Sequence, residues 1–166
     1  MIREELIHPA LAHFPIACLI LVFFTKLTQI IVMKRSREVK EKLEFTTQFL
    51  LFFGCAMLLP TLFLGDIAFD LVKADLCNIV KAYEHEESAH NTLYIFIFAM
   101  ILELSLRFEN VKKNYELLIQ VSLLLVITFG NIVLVQTSHQ GGELVYEQGA
   151  AVRREFSVQT CEWTMD

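Results

Sequence analysis

Several common catalytic motifs are missing from this sequence of 166 residues, and each absence removes a class of function. There is no Cys-x-x-Cys-His motif, which excludes covalent haem attachment of the c type. There is also no HExxH zinc motif, no phosphate-binding loop and no GxGxxG pattern, so a metalloprotease, a nucleotide hydrolase and a dinucleotide-dependent enzyme find no support. The sequence therefore does not favour a self-contained enzyme.

Charge is also scarce and unevenly spread. Asp, Glu, Lys and Arg make up 20% of the residues, against about 25% in typical globular proteins. The net charge is -5 and no stripe of Lys and Arg alternates with aromatic residues, which argues against nucleic-acid binding. The charges cluster between long apolar runs, a pattern typical of membrane proteins. The residues at the N-terminus are not expected to form a cleavable signal, so the first apolar run should remain as a membrane span.

Four apolar segments predict four transmembrane helices, at about 10–33, 45–65, 89–106 and 117–138. A helix needs about 20 residues to cross a hydrocarbon core of roughly 30 Å, and three of the segments meet this length fully. We expect one all-α domain over residues 1–166, an integral membrane four-helix bundle with antiparallel, up-down connections. No internal repeat is evident.

The distribution of Lys and Arg predicts the orientation. The loops after the first and third spans hold eight of these residues, and the opposite side holds five. The positive-inside rule then places both termini, an outer loop at 66–88 and an outer tail at 140–166 outside the cytoplasm. This arrangement is expected for a protein of a plasma membrane.

All five histidines fall on that outer side, at the ends of the predicted spans, and they are His8, His13, His85, His90 and His139. Imidazole is the commonest protein ligand for transition metals and also binds haem iron, so this convergence is the clearest functional signal. His13 lies inside a span, where an ionisable group is costly and often functional. Each histidine alone is also compatible with a structural role.

Two motifs resemble those of a known family. HPALAHFPIA begins at His8 and HQGGELVYEQGAAV begins at His139, and together they resemble the DUF2231 family of predicted bacterial membrane proteins. The matching residues are His8, His13, Phe14, Pro15, His139, Gly141, Gly142, Val145 and Tyr146. Either His85 or His90 corresponds to the family's histidine before the third span. Gln148 departs from the pattern, because many relatives have histidine there.

The histidine pattern of this family implies a small membrane b-type cytochrome. Haem b needs two histidines from different helices around a flat apolar slot. We expect His13 to pair with His139 or His85, with His8 as a supporting residue or a ligand of a second haem. Such a subunit passes electrons inside a larger redox complex, with a quinone or a periplasmic cytochrome as partner. The alternatives are a non-redox structural subunit and a copper- or zinc-handling membrane protein.

The sequence also suggests structural roles for several other residues. Lys26 and Glu103 could form a buried ion pair, although Lys26 could also extend to the interface. Asp66 could orient a histidine or cap a loop, and Cys77 and Cys161 could form a disulfide if the outer side is oxidising. Gly141 or Gly142 is expected to end the fourth helix. Four phenylalanines could line the haem slot or face lipid, namely Phe14, Phe52, Phe53 and Phe63.

Overall fold

The computed structural model describes residues 3–32 and 37–152, and within them the chain forms four long α-helices. These are α1 (Ile7–Val32), α2 (Arg37–Val72), α3 (Ile79–Ser105) and α4 (Glu109–Tyr146). Single 3-10 turns occur at Glu4–Leu6 and Lys73–Asp75. All four helices are long and apolar enough to cross a membrane. The all-α, four-span architecture is confirmed, and the side on which the termini lie stays a prediction.

The helices extend well beyond the apolar segments that predicted them. Most of the predicted outer loop at 66–88 is helical, because α2 continues to Val72 and α3 begins at Ile79. The side chain of Asn78 caps α3 by accepting a hydrogen bond from the Val80 backbone N–H. Hydropathy detects only the segment that lies in lipid, whereas helical hydrogen bonding continues through polar flanking residues. The real connection between the two helices is therefore short.

The fourth helix also continues past the point at which the sequence predicts its end. Gly141 and Gly142 both lie inside α4, which ends at Tyr146. The expectation that one of these glycines ends the helix is wrong. Positive φ angles occur instead at Gly149, which lies three residues beyond the helix, and at Ala151. The contacts of Gly141, described below, give a different reason for a glycine at that position.

The four helices form two antiparallel hairpins. The first hairpin consists of α1 and α2 and the second of α3 and α4, and each pair packs more extensively than the two hairpins pack on each other. The buried core runs along the contact between the hairpins and includes Leu19, Val22, Phe96, Leu123 and Ile127. Many large apolar side chains face outward, as expected where the surrounding medium is lipid.

The two hairpins are also structurally equivalent, although the sequence shows no obvious repeat. Residues of α1 correspond to residues of α3 that follow 77 positions later, and residues of α2 correspond to residues of α4 that follow 76 positions later. Gly54 packs against Leu19 in the first hairpin, and the equivalent Gly130 packs against the equivalent Phe96 in the second. The chain therefore contains two copies of one helical hairpin.

Equivalent residues of the two hairpins meet each other across the bundle. Lys26 Nζ lies 2.8 Å from Glu103 Oε2, and the side chains are 0% and 2% exposed. Lys40 and Glu116, again at equivalent positions, form an ion pair of 2.6 Å. Lys26 is thus buried in a pair with Glu103 and does not extend to the interface. These contacts also place equivalent residues at the same depth.

Candidate histidine site

Two histidine rings meet where the hairpins face each other. His8 lies in the first turn of α1 and His85 in the second turn of α3, at equivalent positions of the repeat. Their ring centres are 6.3 Å apart and their planes are inclined by 79°. The site therefore takes one imidazole from each hairpin.

Backbone carbonyl groups hold both rings in place. His8 Nδ1 donates to the carbonyl oxygen of Thr61 at 2.8 Å, and His85 Nδ1 donates to that of Thr137 at 3.0 Å. A carbonyl oxygen can only accept, so the proton of each neutral ring is assigned to Nδ1. The Nε2 atom of each ring then keeps its lone pair, which is the state that a metal ligand requires.

A glycine one helical turn after each threonine makes room for the ring. A Cβ atom at Gly65 would lie 3.1 Å from His8 Cε1, and one at Gly141 would lie 3.1 Å from His85 Cε1. A Cβ atom at Gly142 would meet only Tyr146, at 4.0 Å. Gly141 is therefore required by its contact with His85, and its position inside a helix follows from that contact.

The remaining histidines lie around this pair without joining it. His13 Nδ1 donates to the Pro9 carbonyl oxygen at 2.7 Å, and His90 Nδ1 donates to that of Glu86 at 3.0 Å. His139 is 76% exposed and lies 3.3 Å from Glu143. Five residues along a helix correspond to a rotation of about 140°. When His8 faces the opposite hairpin, His13 must therefore face away from it.

The structure brings together His8 and His85, and not the pairs that the sequence favoured. In residues 3–32 and 37–152, neither His13 nor His139 contacts another histidine ring. All five histidines nevertheless lie near the same end of the bundle, because Thr137 contacts His85 and lies two residues before His139. The histidines therefore lie at one end of the bundle, as the sequence predicts, but the two rings that meet are those of His8 and His85.

The comparison with known proteins gives one match. A model of the DUF2231 family, described as a predicted membrane protein, matches residues 5–154. The chain belongs to the DUF2231 family. No curated protein and no solved structure matches this DUF2231 protein. Its membership and its four apolar helices identify it as an integral membrane protein, consistent with an inner-membrane location.

In residues 3–32 and 37–152, no hydrogen bond or ring contact joins the histidine pair to the other residues singled out in the DUF2231 sequence. Asp66 is exposed and, among the described residues, makes no hydrogen bond to a histidine. Gln148 is buried and its Oε1 accepts from the Asn78 backbone N–H at 3.0 Å. Cys161 lies outside the described residues, so its disulfide with Cys77 stays a prediction. The four phenylalanines proposed for a haem slot, namely Phe14, Phe52, Phe53 and Phe63, are exposed and face outward.

The sequence of this DUF2231 protein contains a signal for the two histidines that meet in the structure. His-x-x-x-x-His occurs at His8 and again at His85, 77 positions later. Thr-x-x-x-Gly occurs at Thr61 and again at Thr137, 76 positions later. Neither pattern is conspicuous alone. Their nearly constant offset is what indicates a repeated hairpin with one histidine and one threonine–glycine socket in each copy.

Proposed function

We propose that this DUF2231 protein is a small b-type cytochrome-like membrane subunit in which His8 and His85 would hold one haem b. The observation that carries the proposal is the meeting of two imidazoles from two hairpins, each with its Nδ1 proton bound to a carbonyl oxygen. This is the donor set and the protonation state that a bis-histidine iron site requires.

The distance between the rings supports this fit. The bond from a metal to an imidazole nitrogen is about 2.0–2.1 Å, so two rings that share one metal must be close neighbours. The observed separation is 6.3 Å. Two protein ligands are sufficient for haem, because the porphyrin supplies the other four nitrogen atoms. When bound, haem supplies reversible one-electron transfer.

The residues of the chain itself would hold and tune such a group. The carbonyl oxygens of Thr61 and Thr137 fix the ring orientations and make the opposite nitrogen a stronger donor. Gly65 and Gly141 allow the rings to lie close to α2 and α4. Because the pair lies near one end of the bundle, electrons could pass to a partner at that surface, such as a quinone, a periplasmic cytochrome or a larger redox complex.

Two alternatives predict different behaviour. A copper- or zinc-handling protein would hold the ion with several side chains. In the part of the chain that the structure describes, no group of three or more His, Cys, Asp and Glu residues could do so. A purely structural role is compatible with the same carbonyl bonds, since His8 joins α1 to α2 and His85 joins α3 to α4. A structural protein would keep these bonds without binding any chromophore.

The test is a reduced-minus-oxidised spectrum of the purified, folded protein expressed with a haem precursor, together with haem and metal analysis of the same sample. We expect a b-type spectrum and about one haem for each chain. A folded protein without haem, with or without copper or zinc, would contradict the proposal. Size-exclusion chromatography provides the control for folding.

A further inference from the structure

A cavity lies on the outward face of the second hairpin, between α3 and α4. It has a volume of about 690 Å³ and is polar at one end, where Glu84, Glu87, Asn91, Gln136 and Gln140 line it. Tyr94, Ile95 and Phe129 line its other end and also line a second cavity of about 500 Å³. That second cavity is almost entirely apolar. The two form one elongated groove with a polar head and an apolar tail.

Comparison of the two hairpins shows that residues at this depth, in the same helix packing, need not be polar. Equivalent positions lie at the same depth, because His8 meets His85 and Lys26 meets Glu103. The residues of the first hairpin that correspond to Glu87, Asn91, Gln136 and Gln140 are Ala10, Phe14, Pro60 and Leu64. One copy of the hairpin is thus apolar on this face, while the other has four polar side chains, which are costly near lipid. A polar ligand explains the difference.

The polar end offers more acceptors than donors. Glu84 and Glu87 contribute carboxylates, and Gln140 Oε1 is a buried acceptor without a hydrogen-bond partner. Among the described residues, no lysine or arginine lines the cavity. A phospholipid would place its phosphate beside two carboxylates, which is unfavourable. The head of the ligand should therefore not be an anion and should donate hydrogen bonds.

The groove also shares a wall with the histidine site. Ser88 lines the cavity, and its hydroxyl group lies 2.7 Å from that of Thr137. The carbonyl oxygen of the same Thr137 holds the His85 ring. The groove is therefore linked to the His85 ring through Ser88 and Thr137.

We propose that this groove binds an isoprenoid quinol. The two hydroxyl groups of a quinol donate to the carboxylate and amide oxygens, and its isoprenoid tail lies along the apolar cavity between α3 and α4. The choice of a quinol rests on the proposed electron-transfer function, since it names the electron donor for that site. The proposal concerns binding, which is measured without reference to haem.

The experiment is a calorimetric titration of the purified protein with a short-tailed ubiquinol under anaerobic, reducing conditions. Phe129→Trp fills the groove, and its matched control is Phe53→Trp at the equivalent position of the first hairpin. A second variant, Asn91→Phe with Gln140→Leu, gives the second hairpin the residues of the first. We expect the double variant to weaken binding about tenfold or more, as the loss of one or two hydrogen bonds predicts. Phe129→Trp should weaken binding by occupying the groove, while Phe53→Trp stays near wild type.

The outcomes separate this proposal from the proposed function. Quinol binding that is absent in wild type, or equally strong in all variants, overturns the groove assignment even if haem is present. Stronger binding of the oxidised quinone, or displacement of the quinol by phospholipid at comparable concentration, also overturns it. Specific quinol binding by a protein without haem supports the groove and contradicts the cytochrome proposal.

Discussion

Replacing Gly141 by alanine tests the close fit between α4 and the His85 ring. The added Cβ atom would lie 3.1 Å from His85 Cε1 and 3.6 Å from Nε2, so the ring must shift. The neighbouring Gly142 gives a matched control, because its Cβ atom would meet only Tyr146, at 4.0 Å. Both residues are inside the same helix, and only one of them contacts the histidine site.

The magnitude follows from two opposing contributions. Alanine is favoured over glycine in a helix interior by about 0.8–1.0 kcal/mol, and both variants gain up to this amount. At Gly141, displacement of the ring also weakens the bond from His85 Nδ1 to Thr137, which costs about 0.5–1.5 kcal/mol, with further steric cost. We expect Gly142→Ala to stabilise the protein slightly and Gly141→Ala to be less stable than Gly142→Ala by about 1–2 kcal/mol.

The assay is reversible unfolding in mixed micelles, followed by circular dichroism, for the wild type and both variants. The haem content of each variant is measured on the same preparation. Only Gly141→Ala should reduce haem retention, because only its side chain displaces a proposed ligand. Equal stability and equal haem content of the two alanine variants would refute the account of the ring socket.

Three further results are expected. Lys26→Met or Glu103→Gln alone should destabilise the protein by about 3–5 kcal/mol in the same unfolding assay, because each leaves a buried charge with only an amide contact, from Gln48 to Glu103 or from Lys26 to Gln29. A double Lys26→Met, Glu103→Met variant should recover most of that loss, and failure to recover would contradict a simple pair. Exchanging the two charges, as Lys26→Glu with Glu103→Lys, should preserve folding better than either single charge reversal. The angle of 79° between the His8 and His85 rings should give the strongly anisotropic low-spin signal of perpendicular axial imidazoles in electron paramagnetic resonance, and the signal of parallel rings would contradict the observed geometry.

The repeat has a consequence for how the bundle assembles. Two identical hairpins would bring like charges together at the positions of Lys26 and Glu103, and again at those of Lys40 and Glu116. In this chain the paired positions carry opposite charges. The ion pairs therefore favour association of the first hairpin with the second over association of either hairpin with its own copy.

The number and type of the helices could be predicted from hydropathy, but their ends could not. Apolar runs identify the parts of a chain that lipid surrounds, and α2 and α4 extend far beyond those parts. Gly141 resembled a helix terminator because glycine often ends helices. Gly141 instead makes room for the His85 ring, which belongs to another helix. The residues next to Gly141 in the sequence do not indicate this contact.

The histidine end of the bundle could be predicted, but the central pair could not. His13 was favoured because it lies deeper in an apolar segment than His8, and depth is visible in a sequence. The direction in which a side chain faces depends on how the hairpins pack. His8 faces His85 across the bundle, whereas His13 is exposed. The pairing became predictable only once the equivalence of the hairpins was recognised.

The most direct test of the central claim is the haem content of five single variants in which each histidine is replaced by alanine. His8→Ala and His85→Ala should lose the b-type spectrum, while the wild-type fold persists by size-exclusion chromatography and circular dichroism. His13→Ala, His90→Ala and His139→Ala should retain haem at the wild-type stoichiometry. Retention of haem in folded His8→Ala and His85→Ala, with loss in His13→Ala or His139→Ala, would contradict the account.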